Sequence, residues 1–398
     1  MFAALDAVKL RFGFRFDMSF DPFKSFLMGG FECSTHRYGS DGRRLDLIRS
    51  TRHDEFAKKD YARLIDLGMR SCRDGMRWHL IEKEPFKYDL SSLEKQVKAA
   101  RQTGMQVLWD YFHYGYPDDI DIYSEHFIER FAAFSSAVTR YLVDELGSDL
   151  VVCPVNEISF YSWIAGQVGV FHPGSKRRGN ELKQQLVRSL IASVKEIKKV
   201  TRRARILMTE PAIHVISYRQ TPSARREAEN FRRAQFHAFD MVLGKADPEL
   251  GGSSKYLDII GLNYYFHNQW YWPNRRKIPL GHHRYRPFHD ILVEYHKKYR
   301  MPILIAETGI EDEKRPEWFR YVCDQTYFAR TLGVDVRGIC LYPITNHPGW
   351  ADDRHCHNGL WDYSDEKGGR AVYEPLANEV RIQQSRFEPR ALASGAAD

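Results

Sequence analysis

Residues 124–157 read SEHFIERFAAFSSAVTRYLVDELGSDLVVCPVNE, and the fold turns on how this stretch changes period. Phe127, Phe131, Phe134, Val138 and Leu142 recur close to every 3.6 residues, which predicts an amphipathic helix over Ser124–Leu146. Gly147 stops it, because glycine enters the left-handed conformations in which helices commonly close. Leu150–Val155 is then a short continuous apolar run, the pattern of a strand buried on both faces. Two polar residues, Asn156 and Glu157, stand at its C-terminal end.

The same unit recurs along the chain. Strands are expected at Phe26–Cys33, Met69–Arg73, Met105–Asp110, Leu150–Val155, Arg205–Met208, Leu257–Leu262, Pro302–Ala306 and Gly338–Tyr342. Helices are expected at Asp54–Leu67, Ser91–Thr103, Ser124–Leu146, Asn180–Val200, Ser223–Leu243, Pro287–Tyr299, Pro316–Leu332 and Tyr373–Arg386. Eight strand–helix pairs in one uninterrupted series predict an α/β fold, a single (β/α)8 TIM barrel, since parallel strands need crossover helices and a ring of eight closes them. The alternative is an open doubly wound sheet. No G-x-G-x-x-G string follows the first strand to support it. The domain reading is an N-terminal extension over 1–20, a catalytic barrel over 21–388 and a small, polar, disordered tail over 389–398.

A chain of 398 residues with 43% apolar content is long enough to bury the core of such a barrel. Its 22 Tyr, 24 Phe and 8 Trp serve either that core or platforms for the C–H faces of sugars, and composition does not choose between them. The net charge of +7 is spread thinly, in runs as short as Lys176-Arg177-Arg178, so no nucleic-acid partner is expected. Six cysteines without C-x-x-C spacing read as buried thiols of a reducing, cytoplasmic compartment. Met1–Phe16 lacks the apolar run and cleavage site of a signal peptide, and no run approaches the roughly 18 apolar residues of a membrane span.

In a barrel of this kind the chemistry lies at the C-terminal strand ends. Read in order, those ends carry Glu32 and His36, Arg73, Asp110 and His113, Asn156 and Glu157, Glu210, Asn263 and Tyr265, Glu307, then Tyr342 and Asn346. Two carboxylates across a polar pocket suit glycoside chemistry, in which one protonates the leaving oxygen and an oxocarbenium-like transition state is stabilised. An amide beside the acid, as Asn156 beside Glu157, suits a hydrogen bond to a sugar 2-hydroxyl that strengthens in that state. Metal-assisted hydrolysis by His36, Asp110 and His113 is the competing class, but these residues lack metal-site spacing, so neither metal nor other cofactor is assigned.

Seven strings in register resemble family 1 of the glycoside hydrolases, the β-glucosidase and β-galactosidase type, within the wider clan of retaining barrel enzymes. Phe26-Leu-Met-Gly-Gly-Phe-Glu-Cys-Ser-Thr-His36 resembles the opening F-L-W-G-x-A-x-x-x-Y-Q, and Asp60-Tyr-Ala-Arg-Leu-Ile-Asp-Leu-Gly68 resembles D-x-x-L-M-x-x-L-G. Arg73-Asp-Gly-Met-Arg-Trp78 is similar to R-F-S-I-S-W, and His113-Tyr-Gly-Tyr-Pro117 to H-W-D-L-P. Pro154-Val-Asn-Glu157 resembles T-F-N-E, Asp258-Ile-Ile-Gly-Leu-Asn-Tyr-Tyr265 is nearly the family string, and Pro302-Ile-Leu-Ile-Ala-Glu-Thr-Gly309 resembles P-x-x-I-T-E-N-G.

The resemblance implies a retaining β-glycosidase with Glu157 as acid/base and Glu307 as nucleophile, about 5–5.5 Å apart. It implies that Arg73 keeps Glu307 ionised, that Tyr265 orients it, and that His113, Asn156 and Asn263 belong to the substrate-binding surroundings. A transglycosidase on the same site and a non-catalytic carbohydrate-binding barrel are the alternatives. The strand-eight segment W-S-L-x-D-N-F-E-W reads Tyr342-Pro-Ile-Thr-Asn-His-Pro-Gly-Trp350 here. Trp350 is kept, Tyr342 replaces the stacking tryptophan, Gly349 replaces the hydroxyl-binding glutamate, and His36 replaces the strand-one glutamine. The glycone specificity of the family therefore does not carry over.

Overall fold

The computed structural model describes residues 21–388, so the expected extension over 1–20 and tail over 389–398 lie outside the described residues. The barrel strands are β1 (Leu27–Gly30), β2 (Ser71–Gly75), β3 (Gln106–Phe112), β4 (Val151–Val155), β5 (Arg205–Pro211), β6 (Ile259–Asn263), β7 (Ile303–Thr308) and β8 (Val336–Leu341). They close in the order β1-β8-β7-β6-β5-β4-β3-β2, parallel throughout. The crossover helices are α1 (His53–Asp66), α2 (Ser91–Thr103), α3 (Glu125–Leu146), α4 (Gly179–Val200), α5 (Pro222–Arg233), α6 (Phe288–Tyr299), α7 (Arg315–Thr331) and α8 (Glu374–Phe387). This is the expected (β/α)8 barrel.

Local chemistry explains the boundaries. Ser124 caps α3 by accepting the Phe127 N–H at 3.2 Å, and Gly147 follows with φ 94°, a value an L side chain resists. Gly104 ends α2 at φ 72° in the same way. The arginine-rich helix expected over Ser223–Leu243 is instead three pieces: α5, a 3-10 turn at Ala234–Phe236, and a short helix at His237–Val242. The backbone stays right-handed through both joins, so the helix tightens rather than breaks.

Side chains alternate between the barrel interior and the layer under the helices. Met28, Leu108, Val151, Cys153, Leu207 and Ile259 point inward and form the inner core with Leu304, Ala306, Cys340 and Tyr342. Leu27, Trp109, Val152, Ile206 and Ile260 point outward against the helices. Short accessory strands lie on the connections that leave the C-terminal strand ends, including a parallel pair, His214–Ser217 with Gln269–Trp272. All six cysteines are buried free thiols. Among the described residues no helix is long and apolar enough to cross a membrane.

Candidate active site

Alternation fixes which strand-end residues face the barrel axis. On β2, Arg73 points inward, while Asp74 points outward to His53, Tyr61 and Gln96. On β5, Thr209 points inward and Glu210 outward, where both Glu210 oxygens accept the Ser159 N–H at 3.1 and 3.2 Å. Glu210 thus stands behind the mouth rather than in it, and burial pushes its carboxyl up to about 7. On β7 strict alternation would turn Glu307 outward, because Leu304 and Ala306 face in. A register shift lets one extra residue in, pairing Leu262 with Ile305 and then Asn263 with Glu307. The bulge re-aims Glu307 toward Arg73.

Arg73 is fully buried and all its donors are used. Nε donates to Asp110 Oδ1 at 3.1 Å, Nη2 forms an ion pair with Asp110 Oδ2 at 2.7 Å, and Nη1 donates to Glu307 Oε1 at 2.6 Å and to the Ala306 carbonyl at 3.3 Å. Nη2 also donates to Asn156 Oδ1 at 2.7 Å. The second Glu307 oxygen accepts the Tyr265 hydroxyl at 2.8 Å.

Glu157 follows β4 in a left-handed conformation, φ 44° and ψ 61°, and opens a one-turn helix at Ile158–Tyr161. Its backbone N–H donates to the Thr209 carbonyl at 3.0 Å, which anchors the turn to β5. Asn263 Nδ2 donates to Glu157 Oε1 and the Tyr114 hydroxyl to Oε2, each at 2.8 Å. Glu157 therefore has neutral partners and Glu307 a cationic one. Burial, then the charge of Glu307, raises the Glu157 carboxyl. Burial also raises Glu307, with Arg73 and then His113 opposing it. Burial favours the protonated form of either carboxyl, and the guanidinium beside Glu307 biases a proton toward Glu157.

His113 links the pair to the rest of the mouth. Its Nδ1 lies 3.1 Å from Asp110 Oδ2, and its Nε2 lies 3.2 Å from Asn156 Nδ2. Glu32 Oε1 lies 3.8 Å from the same Nε2. Trp350 is half-buried and makes an aromatic wall with His36, Tyr114 and Phe171 at centroid distances of 5.2, 6.2 and 5.8 Å.

Two substituted positions are as enclosed as His113 and Asn156. His36 is fully buried, stacked on Phe171 at 3.7 Å, with Nδ1 bonded to Ser34 Oγ at 2.7 Å and Nε2 unpartnered. Burial pushes its imidazole down to about 3, so the ring is neutral. Tyr342 is buried with its ring 5.4 Å from the Arg73 guanidinium carbon. Gly349 sits in a turn and donates its N–H to the Arg354 carbonyl at 2.7 Å.

Tyr114 is a site residue that sequence reasoning passed over, although it directly follows His113 in the H-W-D-L-P-like string. Among the described residues, two groups have metal-ligating atoms close together. Cys33, Asp110 and His113 form the first, but Asp110 is committed to the adjacent Arg73 guanidinium, whose charge opposes a cation there. The second is His355, His357 and Asp362, an H-x-H signal that the sequence reading overlooked. There Asp362 Oδ1 is taken by His355 Nε2 at 2.7 Å and Asn346 Nδ2 at 2.9 Å.

No family model and no curated protein matches the chain. Solved structures do. A β-glucosidase from Thermotoga maritima in complex with glucoimidazole has a TM-score of 0.74 over 91% of this chain and 98% of its own, at 14% identity. A family 1 β-glucosidase from the same organism, in complex with isofagomine lactam, has a TM-score of 0.73 over 91% and 98%, at 15% identity. The monomer structure of a hyperthermophilic β-glucosidase mutant has a TM-score of 0.72 over 92% and 100%, at 17% identity. The fold is that of these β-glucosidases. What the β-glucosidase fold carries here is a mouth with two carboxyls in unlike surroundings, Glu307 buried and Glu157 half-buried, and the chemistry must be argued from them.

Proposed function

We propose that this chain is a divergent family 1 retaining β-glycosidase acting on a β-linked carbohydrate by double displacement. One observation carries the reading: Glu307 is held by a guanidinium and a phenol, whereas Glu157 is held by an amide and a phenol. The first environment favours a carboxylate and the second tolerates a carboxylic acid. Glu157 protonates the glycosidic oxygen as Glu307 attacks the anomeric carbon, and a glycosyl ester forms on Glu307. Glu157, now a carboxylate, takes a proton from water, which attacks the anomeric carbon and frees Glu307. Arg73 and Tyr265 hold Glu307, and Asn263 and Tyr114 hold Glu157. His113 and Asn156 face the sugar hydroxyls, and Trp350 offers a ring face. Six buried thiols favour a reducing, cytoplasmic setting.

Glu307→Gly abolishes turnover of activated aryl β-glycosides, and added azide restores it with a glycosyl azide of inverted configuration. Near-normal activity in Glu307→Gly would overturn the nucleophile assignment. Acceptor alcohols added to the wild type separate hydrolysis from transfer by the products formed.

A further inference from the structure

Glu32 is a third carboxylate at the mouth, and the proposed double displacement does not use it. It follows β1 and is 6% exposed. Its Oε1 accepts the Ser34 backbone N–H at 3.0 Å and lies 3.8 Å from His113 Nε2. Among the described residues no arginine or lysine pairs with it. Among the described residues its other oxygen makes no hydrogen bond, and it is not one of the enclosed unpartnered atoms. His113, 3.8 Å away, also contacts Asn156 at 3.2 Å, which places the Glu32 carboxyl at the mouth beside the candidate pair. A nearly buried carboxylate with a fixed oxygen, a free oxygen and no cationic partner is a poor structural ion pair. It is a good acceptor for donors that arrive with a ligand.

Resting on the glycosidase reading, we propose that Glu32 is the specificity-determining residue for the glycone, accepting hydrogen bonds from adjacent hydroxyls of a neutral sugar beside His113. Position 349, where the resemblance leads one to expect a hydroxyl-binding glutamate, is a glycine whose backbone closes a turn. Glu32 supplies an acceptor from strand one instead. Charge narrows the class further. Asp110 and Glu307 share the guanidinium of Arg73, and Glu32 adds a third carboxyl with no arginine or lysine beside it among the described residues, so acidic groups outnumber fixed cations at the mouth. Uronates and sugar phosphates are repelled from such a site.

The test reads binding rather than turnover. Neutral glycoimidazoles of several hexose configurations, their monodeoxy analogues and one amino-sugar analogue are titrated by calorimetry into wild type, Glu32→Gln and Glu32→Ala. Thermal unfolding confirms that each variant is folded. The best neutral ligand loses about 10- to 100-fold in affinity with Glu32→Ala, the range of one charged hydrogen bond, and less with Glu32→Gln. The analogue lacking the hydroxyl that Glu32 reads binds wild type as weakly and loses nothing more in Glu32→Ala. Unchanged affinity in Glu32→Ala, or an equal loss for every analogue, overturns the assignment. So does a wild-type preference for the amino sugar that disappears in Glu32→Gln, which would make the reader an ammonium site. Failure of the hydrolytic reading alone looks different: binding and its Glu32 dependence persist while aryl glycosides are not cleaved. Wild type that binds no member of the set overturns both.

Discussion

Replacing Arg73 by methionine keeps most of the side-chain volume and removes the charge that two buried carboxylates share. In the wild type four hydrogen bonds and a further ion-pair contact leave this guanidinium, to Asp110, Glu307, Asn156 and the Ala306 carbonyl. After substitution Asp110 keeps His113 and Glu307 keeps Tyr265, but neither keeps a fixed cation. Breaking a buried pair by removing one partner costs about 3–5 kcal/mol, and we expect about 4 kcal/mol at pH 8. The sign of the pH dependence follows from Asp110. Burial pushes its carboxyl up, yet Arg73 and His113 hold it below its ordinary value. Its stabilisation is therefore present above the unfolded value near 4 and is lost as pH falls through the depressed native value. Without Arg73 both carboxyls rise, and the variant loses stability as pH climbs through their raised values. The deficit should shrink to about 1–2 kcal/mol at pH 5, where the carboxyls take up protons. Urea unfolding at half-unit pH steps measures it. A deficit that is flat with pH, or below about 1 kcal/mol at pH 8, refutes the claim that Arg73 neutralises this pair. Arg73→Lys distinguishes charge from shape: a lysine restores part of the stability but cannot fork to Asp110, Glu307 and Asn156 together.

Two further outcomes follow from other groups. If Glu157 carries the shared proton, kcat/KM for glycosides with poor leaving groups declines as pH rises through its raised value. Glu157→Gln removes that alkaline limb while sparing dinitrophenyl glycosides, whose leaving group needs no proton, and identical pH profiles in the two proteins would count against it. His53 lies between Asp60 and Asp74, each at 2.9 Å; burial pushes the imidazole down, but these carboxylates raise it to about 9. Its stabilisation is full below the unfolded value near 6.5 and fades as pH climbs through about 9, a loss of about 3 kcal/mol that His53→Leu should not show in urea titrations.

The barrel was legible because each helix announces its end and each strand its burial. Ser91–Thr103 lies between a polar start and Gly104, and the structure has the same helix. The strands drift by a few residues, because pairing with neighbours, not local pattern, decides where each begins and ends. The carboxyl pair was legible through position on the strands. What escaped was whatever depends on distant chain. The bulge on β7 is invisible in Pro302–Thr308 alone, since a register shift belongs to two strands at once. The ring stacked on His36, Phe171, comes from the connection after β4, a partner that no local pattern announces. Glu210 reads as a mouth carboxylate until the inward direction of Thr209 assigns it to the other face of β5.

On the proposed reading, in which Glu157 is the acid, its left-handed backbone sets activity against stability at a single position. A non-glycine residue there carries a strain of about 1–2 kcal/mol that a glycine would not. A descendant of this chain released from its chemistry would gain by discarding its acid first, before any change to the core. In engineering terms, position 157 is where a thermostability screen blind to activity will find easy improvements and dead enzymes together.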